Sequence, residues 1–312
     1  MNKYYLGSMT QAQFSIQDTS RILVVQKKTK FELDMEIYSS LDEYKKICKL
    51  QNFLFDRIFH SHQRQEESRE YLRKQVIPQA RFIFRDELNT INMDDFDLVI
   101  SLGGDNHFTF VAHQVFPKII LGLNSDPDTS VGALLGFSTE SFENLVQNAW
   151  KSATIEEWSL IHTTLTYPDG RVVHTFPSVS EISIRNNSPD LISRYLIQFK
   201  DEIEEQKSSG LLLYTGAGST GWVASCYPKK TGPFPKDQRY FQVYAREPRR
   251  KDKTYEHFRW IDFRVEDSVE VVSEMNGGIS IDSLAERYYL FPPGTKAEFT
   301  LGKTRLKVVI AR

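Results

Sequence analysis

The chain has 312 residues, of which 40% are hydrophobic and 26% are charged. These proportions are typical of soluble globular proteins, so they disfavour a disordered chain, a fibrous repeat or a disulfide-stabilised scaffold. At about 100–200 residues per domain, the length predicts two domains. The 39 basic and 41 acidic residues give a net charge of −2, which provides no long-range attraction for nucleic acids or anionic membranes. We therefore expect neither as a partner.

The cysteines and the first 20 residues indicate in which cellular compartment we expect the protein. Cys48 and Cys226 are the two cysteines, and neither lies in a CxxC pair or a metal-spaced cluster, which is typical of a reducing compartment. No apolar run reaches the roughly 20 residues of a membrane-spanning helix. Residues 1–20 lack the apolar core of a signal peptide and the arginines of a transit peptide, so we expect an N-terminal tail and a cytoplasmic protein.

Strands and helices alternate in the first half of the chain. Apolar runs predict strands at Arg21–Gln26, Arg81–Phe84, Leu98–Leu102 and Ile119–Leu123. Apolar residues three and four apart predict one amphipathic helix between Ile37 and Phe59, and a further helix covers His107–Val115. This alternation predicts an α/β domain over residues 21–145, with helices covering a parallel sheet.

A two-residue period replaces this pattern after Trp150. It predicts strands at Ser159–Tyr167, Val172–Phe176, Val179–Ile184, Tyr195–Phe199 and Leu211–Tyr214. Residues 146–312 are therefore expected to form a mainly antiparallel, β-rich domain, with the division near residues 138–155, where a helix at Glu140–Lys151 links the halves. The last ~20 residues are free to return to the first domain.

The first candidate site follows the strand Leu98–Leu102. Gly103 and Gly104 come directly after it, and Asp105 and Asn106 come next. Ligands of open parallel sheets bind at the carboxyl ends of the strands, where glycines let backbone N–H groups approach a pyrophosphate. The alternative is an ordinary turn in which Asp105 or Asn106 caps the next helix.

Two further polar segments are candidates. Asn124, Ser125 and Asp126 follow the strand Ile119–Leu123, where such residues also serve as caps or turns. Ser180 and Glu181 lie in a strand pattern, in which a glutamate is ordinarily a solvated, outward-facing residue.

A glycine-rich segment, Thr215–Gly221, matches the GxGxxG motif of dinucleotide-binding folds. That motif needs a long helix and then a parallel strand, whereas Pro228 and the prolines after it stop any helix early. We expect instead a glycine-rich loop at Gly216 and Gly218 that holds ribose or phosphate oxygens through hydroxyls. Those hydroxyls belong to Thr215, Ser219 and Thr220. The alternative is a β-bulge or tight turn.

Other features predict no chemistry of their own. His107 and His113 lack a carboxylate three or four residues away, and no spacing of side chains predicts a metal site. The basic run Arg249–Lys253 is expected to be a solvated loop, or a phosphate contact if it folds over the site. The chain has no GxxxxGK[ST] motif, which excludes a P-loop kinase.

Taken in order, these motifs resemble the NAD kinase family, and its mitochondrial-type branch in particular. The resemblance runs from about residue 96 to residue 282. It is carried by GGDN at 103–106, LNSDPDTSVG at 123–132, Ser180-Glu181, EEQKSSGLLLYTGAGST at 204–220, Ala245–Pro248 and Asn276–Gly278.

This resemblance implies an NAD kinase-like fold, in which the active site lies in a cleft between the two domains. It also implies transfer of a phosphoryl group from ATP to the 2′-hydroxyl of the adenosine ribose of NAD or NADH, with Mg²⁺, by a homodimer. Asp105 would be the general base, Gly103 and Gly104 would position phosphates, and Glu181 would hold a ribose hydroxyl. The other residues implied to line the nucleotide sites are Asn106, Asn124, Asp126, Ser180, Ser209, Thr215, Gly216, Gly218, Ser219 and Thr220.

Three positions depart from the family pattern. Asn106 replaces a glycine, Ser180 replaces an asparagine, and Asn276 replaces an aspartate. These changes leave open a catalytically weak or non-catalytic NAD- or NADP-binding relative on the same fold. A third alternative, a lipid kinase of the diacylglycerol type, rests on the GGD motif alone.

Overall fold

The computed structural model describes residues 12–51, 54–226, 232–248 and 259–311. The chain divides into two compact units. The first comprises the described residues up to Phe108, Lys118–Glu156 and the residues from Lys307 on, and the second comprises Thr109–Pro117 and Glu157–Leu306. The predicted boundary between residues 145 and 146 lies inside a helix of the first unit.

The helices of the described residues lie mostly in the first unit. They are α1 (Lys30–Ile37), α2 (Leu41–Leu50), α3 (Phe55–Tyr71), α4 (Asp105–Val115), α5 (Thr139–Gln147) and α6 (Trp222–Cys226). A π-helical turn at Leu72–Val76 extends α3. Short 3₁₀ turns cover Thr19–Arg21, Arg85–Thr90, Met93–Asp95, Gly218–Thr220 and Ala285–Arg287.

The prediction of a single helix between Ile37 and Phe59 is wrong. In this region α1 ends at Ile37, α2 covers Leu41–Leu50, and α3 begins at Phe55. Ser40 caps α2 by accepting a hydrogen bond from the backbone N–H of Glu43 at 3.1 Å. A serine at this position favours the start of a new helix over the continuation of the preceding one.

A mainly parallel sheet forms the centre of the first unit, as predicted. Its strands are β1 (Ile22–Gln26), β2 (Arg81–Phe84), β3 (Leu98–Gly103), β4 (Ile119–Asn124), β5 (Phe137–Ser138), β6 (Ala153–Trp158) and β19 (Leu306–Ala311). The order is β2-β1-β3-β4-β19-β6, with β5 also paired to β4. Residues of β1, β3 and β4 such as Val24, Ile100 and Leu121 are fully buried, which explains their continuous apolar runs.

Part of the predicted N-terminal tail packs onto this unit. Phe14 is buried and its ring lies 5.6 Å from that of Trp150. Residues 1–11 of that tail lie outside the described residues.

The second unit consists mainly of two antiparallel sheets, again as predicted. One has the order β11-β10-β15-β18-β7-β8 and the other β14-β13-β12-β9-β16-β17. Their strands are β7 (Ile161–Thr166), β8 (Val172–His174), β9 (Glu181–Asn186), β10 (Ser193–Phe199), β11 (Glu202–Ser208), β12 (Gly210–Tyr214), β13 (Phe241–Arg246), β14 (Asp262–Val265), β15 (Ser268–Ser273), β16 (Gly277–Ile281), β17 (Tyr288–Phe291) and β18 (Lys296–Leu301). Both sheets contribute to one apolar core, for example through Ile197 and Leu213.

No helix in the described ranges combines the length and the apolar character that crossing a membrane would require.

Candidate functional site

The GGD turn lies at the carboxyl end of β3, and Asp105 is the first residue of α4. The carboxylate of Asp105 is half-buried and accepts hydrogen bonds from the backbone N–H groups of Ala133, at 3.0 Å, and Leu134, at 2.9 Å. Gly103 pairs with Asn124 in the parallel neighbour β4, so the loop after β4 starts at the same sheet edge. That loop fixes the orientation of a carboxylate that still reaches solvent.

The two glycines of the turn have different roles. A Cβ at Gly103 would lie 2.8 Å from the ring of His107, so packing alone explains this glycine. A Cβ at Gly104 would meet only the hydroxyl of Ser130, at 3.6 Å, which is an ordinary contact. Packing therefore gives no reason for Gly104, and close approach of a ligand to this glycine stays a prediction.

His107, next to this turn, is a structural residue. Its Nε2–H donates to the carbonyl of Val25 at 3.0 Å, and burial lowers its pKa to about 4. The imidazole is therefore neutral at physiological pH. Asn106, at the second position of α4, is exposed.

Asn124 and Asp126 hold the loop after β4 in shape. The amide of Asn124 donates to the carbonyl of Ser130 at 2.9 Å and accepts from the N–H of Asp126 at 3.0 Å. The carboxylate of Asp126 accepts from Arg64 at 2.8 Å and from the hydroxyls of Ser61 and Thr129, both at 2.5 Å. Burial opposes ionisation of Asp126, but these hydrogen bonds outweigh it and lower its pKa. Both side chains are committed to the loop, and their contact with a nucleotide stays a prediction.

In the second unit, Ser180 and Glu181 lie at the start of β9. The carboxylate of Glu181 accepts hydrogen bonds from the hydroxyls of Ser180, at 3.1 Å, and Ser283, at 3.3 Å. Burial and the negative charge of nearby Asp282 raise the pKa of Glu181 to about 7. Glu181 therefore changes its protonation near neutral pH, which a solvated outward-facing glutamate would not do.

Asp282, which sequence reasoning missed, organises this segment. Its fully buried carboxylate accepts from the backbone N–H groups of Val179, Ser180 and Glu181, at 2.8–2.9 Å. It also accepts from the hydroxyl of Ser178 at 2.7 Å and lies 2.6 Å from Nε2 of His113. Burial opposes ionisation, but the hydrogen bond from His113 and the others outweigh it and lower the pKa of Asp282. We call these residues, Asp282 with its five partners, the Asp282 hub.

No local spacing indicates this hub, because His113 and Asp282 are 169 positions apart. The one local feature that marks the hub is its backbone conformation, because Asp282 and Ser283 have positive φ values of +51° and +55°. His113 lies on α4, the helix that begins with Asp105. One helix therefore carries both the aspartate of the GGD turn and a partner of the Asp282 hub.

The glycine-rich loop is tightly packed. A Cβ at Gly216 would lie 2.2 Å from the carbonyl oxygen of Pro235, and a Cβ at Gly218 would lie 2.2 Å from that of Ser180. After this loop, β13 pairs antiparallel with β12, which excludes the Rossmann arrangement, as the sequence predicted.

The hydroxyls of this loop are mostly used internally. Thr215 donates to the carbonyl of Val179, and Ser219 to that of Gly216, both at 2.6 Å, and both side chains are buried. Thr220 is exposed, with its hydroxyl 3.4 Å from the carbonyl of Ala217. Of the three hydroxyls expected to hold ribose or phosphate, Thr220 alone is accessible.

Ser209 connects two segments of the family resemblance. Its hydroxyl donates to the carboxylate of Glu247, and its carbonyl accepts from the guanidinium of Arg246 at 2.6 Å. The KSSG and REP segments therefore lie side by side. The basic run Arg249–Lys253 lies outside the described residues.

One group of side chains in the described residues has the spacing of a metal site. Donor atoms of Glu32, His62 and Glu66 lie within 4.8 Å of one another. The guanidinium of Arg69 forms ion pairs with both carboxylates, so an ion-pair cluster accounts for this grouping.

No protein-family model matches the chain, but comparison with known proteins finds relatives that are named NAD kinases. Human NAD kinase 2, mitochondrial, is 24% identical over 254 residues, which is 65% of this chain and 57% of that protein. The NAD kinase of Bacteroides fragilis is 30% identical over 144 residues, 45% of this chain and 48% of that protein. The chain thus spans about half the length of these curated relatives.

The fold has solved counterparts. An NAD kinase from Archaeoglobus fulgidus in complex with ATP aligns with a TM-score of 0.58 and 17% identity, covering 93% of each chain. Yeast NADH kinase complexed with NADH aligns with a TM-score of 0.66 and 14% identity, covering 96% of this chain and 85% of that one. The predicted fold class is confirmed by these alignments. In sequence the chain is similar to NAD kinases, and it shares the fold of the solved NAD and NADH kinases.

Proposed function

We propose that the protein is an NAD kinase, which transfers the γ-phosphoryl group of ATP to the 2′-hydroxyl of the adenosine ribose of NAD or NADH. The observation that carries the proposal is the GGD turn, where a half-buried carboxylate, Asp105, is held by two backbone N–H groups. Gly104 beside it leaves room for a phosphate. The curated relatives are named NAD kinases, and the two structural neighbours hold ATP and NADH.

In this proposal Asp105 is the general base. It accepts the proton of the ribose 2′-hydroxyl as the hydroxyl oxygen bonds to the γ-phosphorus. The bond between that phosphorus and the β–γ bridging oxygen breaks, and ADP leaves with the electron pair. Backbone N–H groups of Gly103 and Gly104 position phosphates, and Glu181 holds a ribose hydroxyl. Most of the rate enhancement comes from positioning.

The described residues at the turn do not fit a resident Mg²⁺ site. Mg²⁺ prefers carboxylate oxygens together with substrate phosphates. Both oxygens of Asp126 are occupied by Arg64, Ser61 and Thr129, and both oxygens of Asp105 accept backbone N–H groups. Magnesium therefore belongs to the substrate, as MgATP, and no step of the reaction is assigned to a protein-bound ion.

The test is NADP formation. Purified protein is incubated with MgATP and either NAD or NADH, and the product is measured with an NADP-specific dehydrogenase. Product from the wild type and from Asp128→Asn, an exposed aspartate, but not from Asp105→Asn, would support the proposal. Inorganic polyphosphate is tried as a second donor.

Two outcomes would contradict the kinase proposal. Absence of product with either donor, together with saturable NAD or NADP binding by calorimetry, would identify the non-catalytic relative. Phosphorylation of diacylglycerol or sphingosine in micelles would identify the lipid kinase. The homodimer is tested separately by analytical ultracentrifugation and the cytoplasmic location by fluorescence microscopy.

A further inference from the structure

An apolar pocket of about 150 Å³ lies in the second unit, beside the Asp282 hub. Its lining consists of His113 and seven apolar residues, among them Ala112, Leu160, Phe176 and Val179. None of the lining residues is assigned to a nucleotide by the family resemblance or by the kinase reaction proposed above. The pocket is therefore a feature that the proposed function leaves unexplained.

The size and the lining of this pocket indicate a small, uncharged ligand. Apolar cavities of about this volume stay dry and bind molecules of the size of benzene. No carboxylate, ammonium or guanidinium group belongs to the lining. A charged ligand would therefore lose its hydration without gaining a counter-ion, which is costly.

Aromatic rings form one wall of the pocket. The ring of Phe176 stacks on the imidazole of His113, with centroids 5.8 Å apart and planes 17° apart. The guanidinium carbon of Arg287 lies 3.6 Å from the centre of the Phe176 ring. Phe176 is also 40% exposed, so this wall reaches the surface, where a ligand can enter. Aromatic pairs contribute more than their buried area alone, which favours an aromatic ligand over an aliphatic one.

His113 is the one residue of the lining with a polar side chain. That side chain is 1% exposed, and its Nε2 lies 2.6 Å from the carboxylate of Asp282. Its Nδ1 is buried and has no hydrogen-bond partner among the described residues. A buried polar atom without a partner is costly, and a ligand that bonds to it removes that cost.

A hydroxyl is the group that suits Nδ1 of His113. Because Nε2 donates to the carboxylate of Asp282, Nδ1 of the neutral imidazole is an acceptor, whereas Nδ1 of the imidazolium is a donor. A hydroxyl both donates and accepts, so it can bond to Nδ1 in either protonation state. A methyl or ether group has no hydrogen to donate.

We propose that this pocket binds a small, uncharged aromatic molecule that carries one hydroxyl. The ring of the ligand packs among Ala112, Leu160, Phe176 and Val179, and its hydroxyl forms a hydrogen bond with Nδ1 of His113. Phenol is the simplest molecule with this composition and serves as the probe. The site does not depend on the kinase reaction.

Calorimetry with phenol tests the site on the full chain. Ala112→Leu is expected to lose phenol binding, because the larger side chain takes up part of the pocket. The matched control is Ala285→Leu, at an exposed alanine outside the lining, which should bind phenol like the wild type. Equal phenol affinity of the wild type and Ala112→Leu, or absence of binding to the wild type, would overturn the proposal.

A second variant decides if Ala112→Leu does not fold. Phe176→Ala removes the aromatic wall at a residue that is 40% exposed, where a smaller side chain is tolerated more readily than in the core. Phenol should bind this variant about threefold to tenfold more weakly, because an aromatic contact is lost. Unchanged affinity would overturn the placement of the ring.

Benzene separates the contribution of the hydroxyl from that of the ring. Phenol is expected to bind about threefold to tenfold more tightly than benzene, because one hydrogen bond to His113 is gained. Equal affinity of the two molecules would overturn the hydroxyl contact and with it the proposed ligand class.

Amide hydrogen exchange locates the bound probe. His113 and Val179 line the pocket, and both are partners in the Asp282 hub. Bound phenol should therefore slow the exchange of the backbone N–H groups of Val179, Ser180 and Glu181, which donate to Asp282. In Ala112→Leu the same amides should not respond to phenol. Phenol binding that leaves these amides of the wild type unchanged would place the molecule elsewhere and would overturn the site.

Discussion

Two aspartates, one in each unit, use backbone N–H groups in different ways. Asp105 accepts two such groups and remains half-buried at the edge of the parallel sheet. Asp282 accepts three, together with Ser178 and His113, and is 3% exposed. The same kind of hydrogen bond thus orients an accessible carboxylate in one unit and organises the backbone around a buried one in the other. The difference predicts that Asp105 matters for turnover and Asp282 for stability.

The largest expected effect is on catalysis at Asp105. Asp105→Asn preserves the size of the side chain but removes the base, so kcat should fall by about 10²–10⁴-fold. Steady-state kinetics of NADP formation measures this effect, with Asp128→Asn as the control. Because Asp105 reaches solvent, the melting temperature should change little. A kcat close to that of the wild type would contradict the role of Asp105 as base.

The next effect is on stability at Asp282. Asp282→Asn removes a buried charge while its donors remain in place, and breaking such a buried interaction costs about 3–5 kcal/mol. Urea unfolding of Asp282→Asn, of Asp105→Asn and of the wild type measures the free energy of unfolding. If Asp105→Asn were destabilised more than Asp282→Asn, the contrast between the two aspartates would be refuted.

The raised pKa of Glu181 predicts that the free energy of unfolding depends on pH. Its pKa is about 7 in the folded protein, against ~4.3 in an unfolded chain. Between these values the unfolded chain has lost the proton that the folded chain still holds. The free energy of unfolding should therefore fall as pH rises from about 4.3 to 7 and then level off, by at most about 4 kcal/mol.

Glu181→Gln should lack this component. The measurement is urea unfolding of wild type and variant at several pH values between 5 and 8, with Glu274→Gln, at an exposed glutamate, as the control. A wild-type-minus-variant difference that does not change with pH would show that Glu181 titrates normally.

The smallest expected effect on stability is at Gly104. Its added Cβ would make an ordinary contact at 3.6 Å, whereas the Cβ of Gly218→Ala would lie 2.2 Å from a backbone oxygen. We expect Gly104→Ala to cost less than about 1 kcal/mol of stability while weakening the binding of AMP-PNP, a non-hydrolysable ATP analogue. Gly218→Ala should cost more stability than Gly104→Ala. Thermal melting and calorimetry measure the two effects, and unchanged nucleotide binding by Gly104→Ala would remove the ligand-based reason for this glycine.

Local patterns predict much of the fold. The apolar runs that predict β1, β3 and β4 are buried on both faces, and such runs are typical of parallel strands. The prediction of a single helix between Ile37 and Phe59 fails because the spacing of apolar residues does not reveal the helix cap at Ser40. The GGD turn is also predictable, since two glycines and an aspartate follow a buried strand.

The remainder of the candidate site depends on contacts between distant residues. His113 shows no partner at helical spacing, because Asp282 reaches it only through the fold. Likewise, a hydroxyl in a glycine-rich sequence does not reveal whether it faces solvent. Thr215 and Ser219 bond to backbone carbonyls in a packed loop, whereas Thr220 remains accessible. Sequence reasoning identifies the chemistry of these residues but not which of them are already occupied.

The return of β19 to the first sheet has a consequence for synthesis. Val308 pairs with Ile120 of β4, so most of the second unit is encoded between β6 and the strand that the first sheet still needs. During translation, β4 therefore emerges from the ribosome long before β19, and its edge stays available for other pairings in the meantime. A single cut in the chain cannot release the first unit complete, because one of its strands is encoded after the second unit.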